Sequence, residues 1–200
     1  MSIKLQPLTK KQLTEIVECY ATAFPDWEII NGQVFARAFG PICQLVGIET
    51  LRSGAYRPWA GIRAIAIPDV RMLHQFLDVK HRQILLRQHP VMWKNVVAAM
   101  EEQFRPLIRK PLDLREIKGL CEQEARATTN DLCMLAILNA YLGERELAVS
   151  YCEQMEKVEP PTLAPRLDWE RRHLEFGRQL RRAVEGGDER QFFDTALKPT

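Results

Sequence analysis

The sequence predicts a mainly α protein with a small antiparallel β-hairpin or sheet near the N-terminus, an α+β chain whose C-terminal half is all-α helical hairpins. Three observations predict it. Apolar residues recur at helical spacing over most of the chain; between residues 42 and 67 that spacing gives way to β-rich runs around a turn; and prolines and glycines stand where helices should stop.

Thr9 can cap a first helix running to about Phe24, with Leu13, Ile16, Val17 and Tyr20 as its apolar stripe and Pro25 closing it. Residues 26–41 carry Trp27, Ile29, Ile30, Val34, Phe35 and Phe39 around Gly32 and Gly40, a pattern that suits a short helix or a strand beside a loop. ICQLVGIETLR, then Ser53-Gly54, then AYRPWAGIRAIAI reads as two strands joined by a hairpin turn. Pro58 cannot donate to a ladder and is expected at an edge or a bulge.

From Asp69 the spacing predicts helix again. Asp69 caps a segment with Val70, Leu73, Phe76 and Leu77, and Pro90 opens a helix carrying Val91, Trp93, Val97, Met100 and Phe104. A further helix has Leu114, Ile117, Leu120 and Cys121 along one side. The last pair begins near Pro165 with Leu167, Leu174, Leu180 and Val184, turns at Gly186-Gly187 and ends with Phe192, Phe193 and Leu197.

Residues 130–160 predict a helical hairpin in detail. Asn130 can cap a helix opening at Asp131, whose Leu132, Leu135, Ile137, Leu138, Tyr141 and Leu142 cover more than half its circumference, so that it should be largely buried. Gly143 supplies the tight stop. A second helix sets Leu147, Ala148, Tyr151, Cys152, Met155 and Val158 on one face, and Pro160 and Pro161 end it. From Leu132 to Pro160 this run resembles one tetratricopeptide repeat: Leu132, Leu135, Ala136, Ala148 and Pro160 occupy pattern positions, while Asn139 stands where an aromatic is expected. No second copy follows at the 34-residue period of that family. A generic helical hairpin and a single repeat therefore both remain open readings.

The 200 residues, 46% hydrophobic and 27% charged, describe a globular chain. We expect an α+β part over residues 1–110 with its hairpin around 42–67, a helical part over 111–200, and one compact unit. A soft boundary lies near residues 106–112, which carry two prolines. The N-terminus lacks an apolar leader and no run is long enough to span a bilayer, so a cytoplasmic protein without a membrane partner is expected. Cys19, Cys43, Cys121, Cys133 and Cys152 are odd in number and read as reduced thiols. His74, His81, His89 and His173 show no i, i+4 pair, so no metal or other cofactor is expected.

Charge is uneven. Residues 51–110 hold eleven Lys and Arg against four acids, whereas residues 111–163 hold five against ten. Such segregation either covers solvated faces or meets a partner of opposite sign. In RRHLEFGRQLRR the arginines have Asp168, Glu170 and Glu175 within about a turn, which argues against a phosphate-binding strip and against nucleic acid as the partner.

The candidate partner-binding residues are Tyr56, Arg57, Trp59 and Arg63 beyond the hairpin turn, because rings and guanidinium groups carry binding energy at interfaces. Glu144, Glu146, Glu153 and Glu156 form a second, acidic candidate surface. Tyr56 and Trp59 can equally cover the helices behind the sheet. Gly40-Pro41-Ile42, Gln44, Ser53-Gly54 and Tyr56-Arg57-Pro58 resemble small bacterial immunity proteins of polymorphic toxin systems, which implies neutralisation of a cognate toxin by direct binding. No catalytic motif is evident, so the expectation is a non-catalytic protein-binding module. The alternatives are an enzyme whose site gathers Glu49, Asp69, His74 or His81, and a nucleic-acid-binding regulator using residues 51–110.

Overall fold

The computed structural model describes residues 6–67, 69–78, 80–158 and 167–197, which form an α+β protein. In chain order come α1 (Lys10–Ala23), β1 (Glu28–Ile30), β2 (Val34–Phe39), β3 (Ile42–Thr50), β4 (Ala55–Ala64), β5 (Arg71–Phe76), β6 (Ile84–Leu85), α2 (His89–Gln103), α3 (Leu114–Glu124), α4 (Thr129–Tyr141), α5 (Arg145–Lys157), α6 (Asp168–Gly186) and α7 (Glu189–Ala196). The strands form one antiparallel sheet in the order β1-β2-β3-β4-β5, with β6 also paired to β4. Glu28 faces Ala36 across β1 and β2, and Tyr56 faces Ile84 across β4 and β6.

The chain divides into two compact units. One comprises Met1–Arg37, Gln44–Gly61 and His74–Pro111; the other comprises Ala38–Cys43, Ile62–Leu73 and Leu112–Thr200. The first unit carries thirteen Lys and Arg against eight Asp and Glu, and the second fifteen against eighteen.

In the first unit α1 starts as its sequence dictates. Thr9 accepts from the Gln12 N–H while the Gln12 side chain accepts from the Thr9 N–H, a reciprocal capping box. Ile16, Tyr20 and Phe24 from this segment, Phe35 and Ile48 from the sheet, and Met100 and Phe104 at the end of α2 are essentially inaccessible and form its core. Each such side chain contributes about 1.5–3 kcal/mol by leaving water. Residues 26–41 resolve into the two short strands β1 and β2. Pro90 does lie in the first turn of α2, but Val91 is 82% exposed and no part of that helix's buried face.

In the second unit α4 is the central element. All ten residues from Leu132 to Tyr141 except Tyr141 itself are buried, as the breadth of its apolar surface predicts. Gly143 adopts φ +78°, a left-handed backbone that only glycine takes without strain, and this closes the turn into α5. Ala148, Cys152 and Met155 of α5 and Leu174, Leu180 and Val184 of α6 complete the core. Gly187 caps α6 in the left-handed conformation. Pro160, Pro161 and Pro165 lie outside the described residues.

Four expectations are corrected. The segment after Asp69 is strand β5 rather than helix. Leu73 takes φ +54° and interrupts the strict alternation of the strand, so that Met72 and Leu73 are both buried and the apolar residues acquire a helix-like spacing. Thr128 rather than Asn130 caps α4: its hydroxyl accepts from the Asp131 N–H, while the Asn130 amide accepts from the Arg71 N–H at 3.1 Å and donates to the Arg71 carbonyl at 2.7 Å. Of the two places expected for Pro58, an edge or a bulge, the edge is excluded, because β4 has β3 on one side and β5 and β6 on the other. Tyr141 and Leu147 are 42% and 46% exposed: Tyr141 is the last residue of α4 and Leu147 lies in the first turn of α5, beside the turn that joins them.

Candidate functional site

The face of the sheet that carries Arg57 and Trp59 gathers side chains from three strands of the first unit. Alternation along β4 sends Tyr56 and Ala60 into the core and leaves Arg57 and Trp59 half-buried on the opposite face. Gly47 of β3 makes room for the indole: a Cβ there would collide with the Trp59 ring, so the strand lies flat beneath it. On its other side Trp59 packs at 5.1 Å against His74 of β5, and His74 lies 4.9 Å from Phe76. The Arg57 guanidinium stands 4.2 Å over the Phe76 ring and donates to Glu49 through Nε at 2.5 Å and Nη2 at 3.1 Å.

The order along this ladder is Trp59, His74, Phe76, Arg57, Glu49. Its electrostatics follow from its geometry. The hydrogen bonds from Arg57 hold the Glu49 carboxyl below the usual carboxylate range and raise the guanidinium in return. The Glu49 side chain is 42% exposed, so the pair adds well under about 1 kcal/mol to stability. What it does is fix Arg57 in place over Phe76. A guanidinium and an indole already held in one geometry lose little conformational freedom when a partner arrives.

The other proposed site residues sit differently. Tyr56 is fully buried, its hydroxyl 3.0 Å from that of Tyr20 and 2.8 Å from Nδ1 of His89, which leaves it no surface to offer. Arg63 is half-buried in the second unit, and its Nε is enclosed without a hydrogen-bond partner. Of the acidic row, Glu144 binds Lys118 and, at 3.2 Å, Arg115; Glu153 lies 3.0 Å from Arg181; and Glu156 lies 3.1 Å from Arg178. Among the described residues Glu146 alone of the four has no cation beside it. Four of the five arginines of α6 are correspondingly spent on carboxylates: Arg171 on Asp168, Arg172 on Asp69, Arg178 on Glu156 and Arg181 on Glu153 and Glu185.

His74, Phe76 and Glu49 of the ladder, and Gly47 beneath it, are residues that sequence reasoning did not bring to this face. Glu49 and His74, two of the groups weighed for an enzyme, share the ladder, whereas His81 approaches Asp78 at 3.2 Å and Asp69 pairs with Arg172 in the second unit. Among the described residues no cluster of three His, Cys, Asp or Glu could hold a metal ion. No described helix is long and apolar enough to cross a membrane. All five cysteines are free thiols, four of them buried.

Comparison with known proteins finds no family model that matches the chain and no significant match among curated proteins or solved structures.

Proposed function

We propose that this chain is a non-catalytic protein-binding module that presents the Trp59–His74–Phe76–Arg57 ladder to a protein partner. Its most concrete form is an immunity protein that neutralises a cognate toxin by docking directly on it. The observation that carries the reading is the ladder: two aromatic rings, an imidazole and a guanidinium are immobilised side by side on a half-exposed sheet face, the chemistry that concentrates binding energy at interfaces. The net positive charge of the first unit favours an acidic partner surface, which would speed encounter. Five free thiols accord with a reducing cytoplasm as the place of action.

The test is affinity capture from native lysate with the wild-type chain beside a Trp59→Ala, Arg57→Ala double variant. A stoichiometric partner that the wild type retains and the folded double variant loses is the expected result. Absence of any such partner, or its undiminished retention by the double variant, would overturn the reading.

A further inference from the structure

A second site lies in the other unit, where a pocket of about 500 Å³ is walled, among the described residues, by Asp69, Asn130, Trp169, Arg172 and His173. That volume falls within the range of small-molecule sites, roughly 300–1,000 Å³. His173 is 1% exposed, and among the described residues neither of its enclosed ring nitrogens has a hydrogen-bond partner. Buried polar groups are almost always satisfied, so an unspent imidazole behind the wall of a pocket singles this place out, although both of its nitrogens are enclosed and face no open space there. Burial also pushes the His173 pKa down, which keeps the ring neutral and equipped with one donor and one acceptor. The indole of Trp169 lies edge-on to this ring at 5.1 Å and is itself 37% exposed.

The remaining walls define what would fit. Arg172 spends only Nη2 on Asp69, which leaves its other N–H groups and one carboxylate oxygen of Asp69 available. Both side chains are at least half exposed, so each can take a second partner. A simple anion drawn to Arg172 would meet the Asp69 charge, and a simple cation drawn to Asp69 would meet Arg172. A molecule carrying both charges a few bonds apart meets neither penalty. Asn130 is fixed by its two bonds to the Arg71 backbone and serves as a rigid side of the pocket.

We propose that this pocket binds a free α-amino acid, its carboxylate on Arg172, its ammonium group on Asp69 and its side chain against Trp169. The experiment is calorimetric titration of the full chain with glycine, L-leucine and L-phenylalanine, each beside its N-acetyl and its carboxamide form. At least one free amino acid should bind saturably, and blocking either charge should weaken it roughly tenfold or more. Asp69→Asn and Arg172→Gln, both at half-exposed positions, should each weaken binding to a similar degree while leaving the fold intact by circular dichroism. The absence of saturable binding up to about 10 mM would overturn the proposal. So would blocked forms that bind as well as the free amino acid, or charge variants that bind at wild-type strength.

Discussion

The Tyr56 hydroxyl and Nδ1 of His89 meet at 2.8 Å, with both residues buried in the core of the first unit. Tyr56 also reaches Tyr20 at 3.0 Å, so it is the middle member of a three-residue chain, and burial pushes its own pKa up to about 12. Tyr56→Phe leaves both neighbours without that partner and should cost about 1–3 kcal/mol. Tyr20→Phe keeps the bond to His89 and should cost less. Urea unfolding of the two variants gives the order directly, and the reverse order would refute this account.

Acid should destabilise the protein from near neutrality. Burial holds His89 and His173 below their ordinary value of 6.5. Above that value the folded and unfolded chains are both neutral at these residues and stability is at its full level. As pH falls through 6.5 toward the lower folded values, the unfolded state takes up protons first and stability drops. Glu49, Asp69 and Glu189, each held low by a hydrogen bond from an arginine, add a second loss at more acid pH. Denaturant midpoints measured from about pH 8 to about pH 4 should fall in these two stages; a flat profile down to about pH 5 would contradict the histidine part.

Gly47→Ala should displace the Trp59 ring and cost about 1–3 kcal/mol, the usual penalty for overpacking. In a Trp59→Ala background the same change should be nearly neutral. Stability measurements around this double-mutant cycle, with tryptophan fluorescence as a second readout, check the coupling. Additive costs would show that the close approach of ring and strand does not matter.

Much of this was legible in the chain, and the errors have physical causes. The helices of the C-terminal half are long and strongly periodic, and α4 announced its burial through the breadth of its apolar surface. Strand β5 was hidden because the left-handed Leu73 disturbs a period of two and imitates a period near four. With it were hidden His74 and Phe76, two of the five ladder residues. Parity along β4 could have separated Tyr56 from Arg57 and Trp59, since odd and even positions of a strand face opposite ways. The pairing of Glu144, Glu153 and Glu156 with cations of α3 and α6 depends on packing between distant segments, which no local spacing records.

Asn139 offers a test of the polar core. Its side chain donates to the Leu135 carbonyl at 2.7 Å, while its own oxygen is buried without a partner. Asn139→Leu keeps the branched side-chain skeleton and removes the unsatisfied oxygen but adds bulk to the core, so the two effects should offset and leave stability within about 1 kcal/mol of the wild type. A loss of more than about 2 kcal/mol would mean that the amide has a role its hydrogen bonds do not reveal.

Arg145→Ala should cost more than Glu189→Gln. Arg145 donates twice to one oxygen of Glu189, at 2.8 and 2.5 Å, and the other oxygen is buried and unpartnered. Removing the arginine strands a buried charge, at about 1–3 kcal/mol after allowance for the exposed guanidinium, whereas the glutamine variant removes the charge itself. Thermal midpoints of both variants decide the order.

The way the two units share the chain also bears on the order in which they can form during synthesis. The first unit is complete once Pro111 has left the ribosome, but by then residues 38–43 and 62–73 have already emerged and belong to the second. Ile42, Ile62, Val70 and Met72, all core residues there, must wait without their helices until α3 to α7 are made. For that interval the nascent chain exposes apolar strand segments, so its point of greatest aggregation risk is the middle of translation rather than the end.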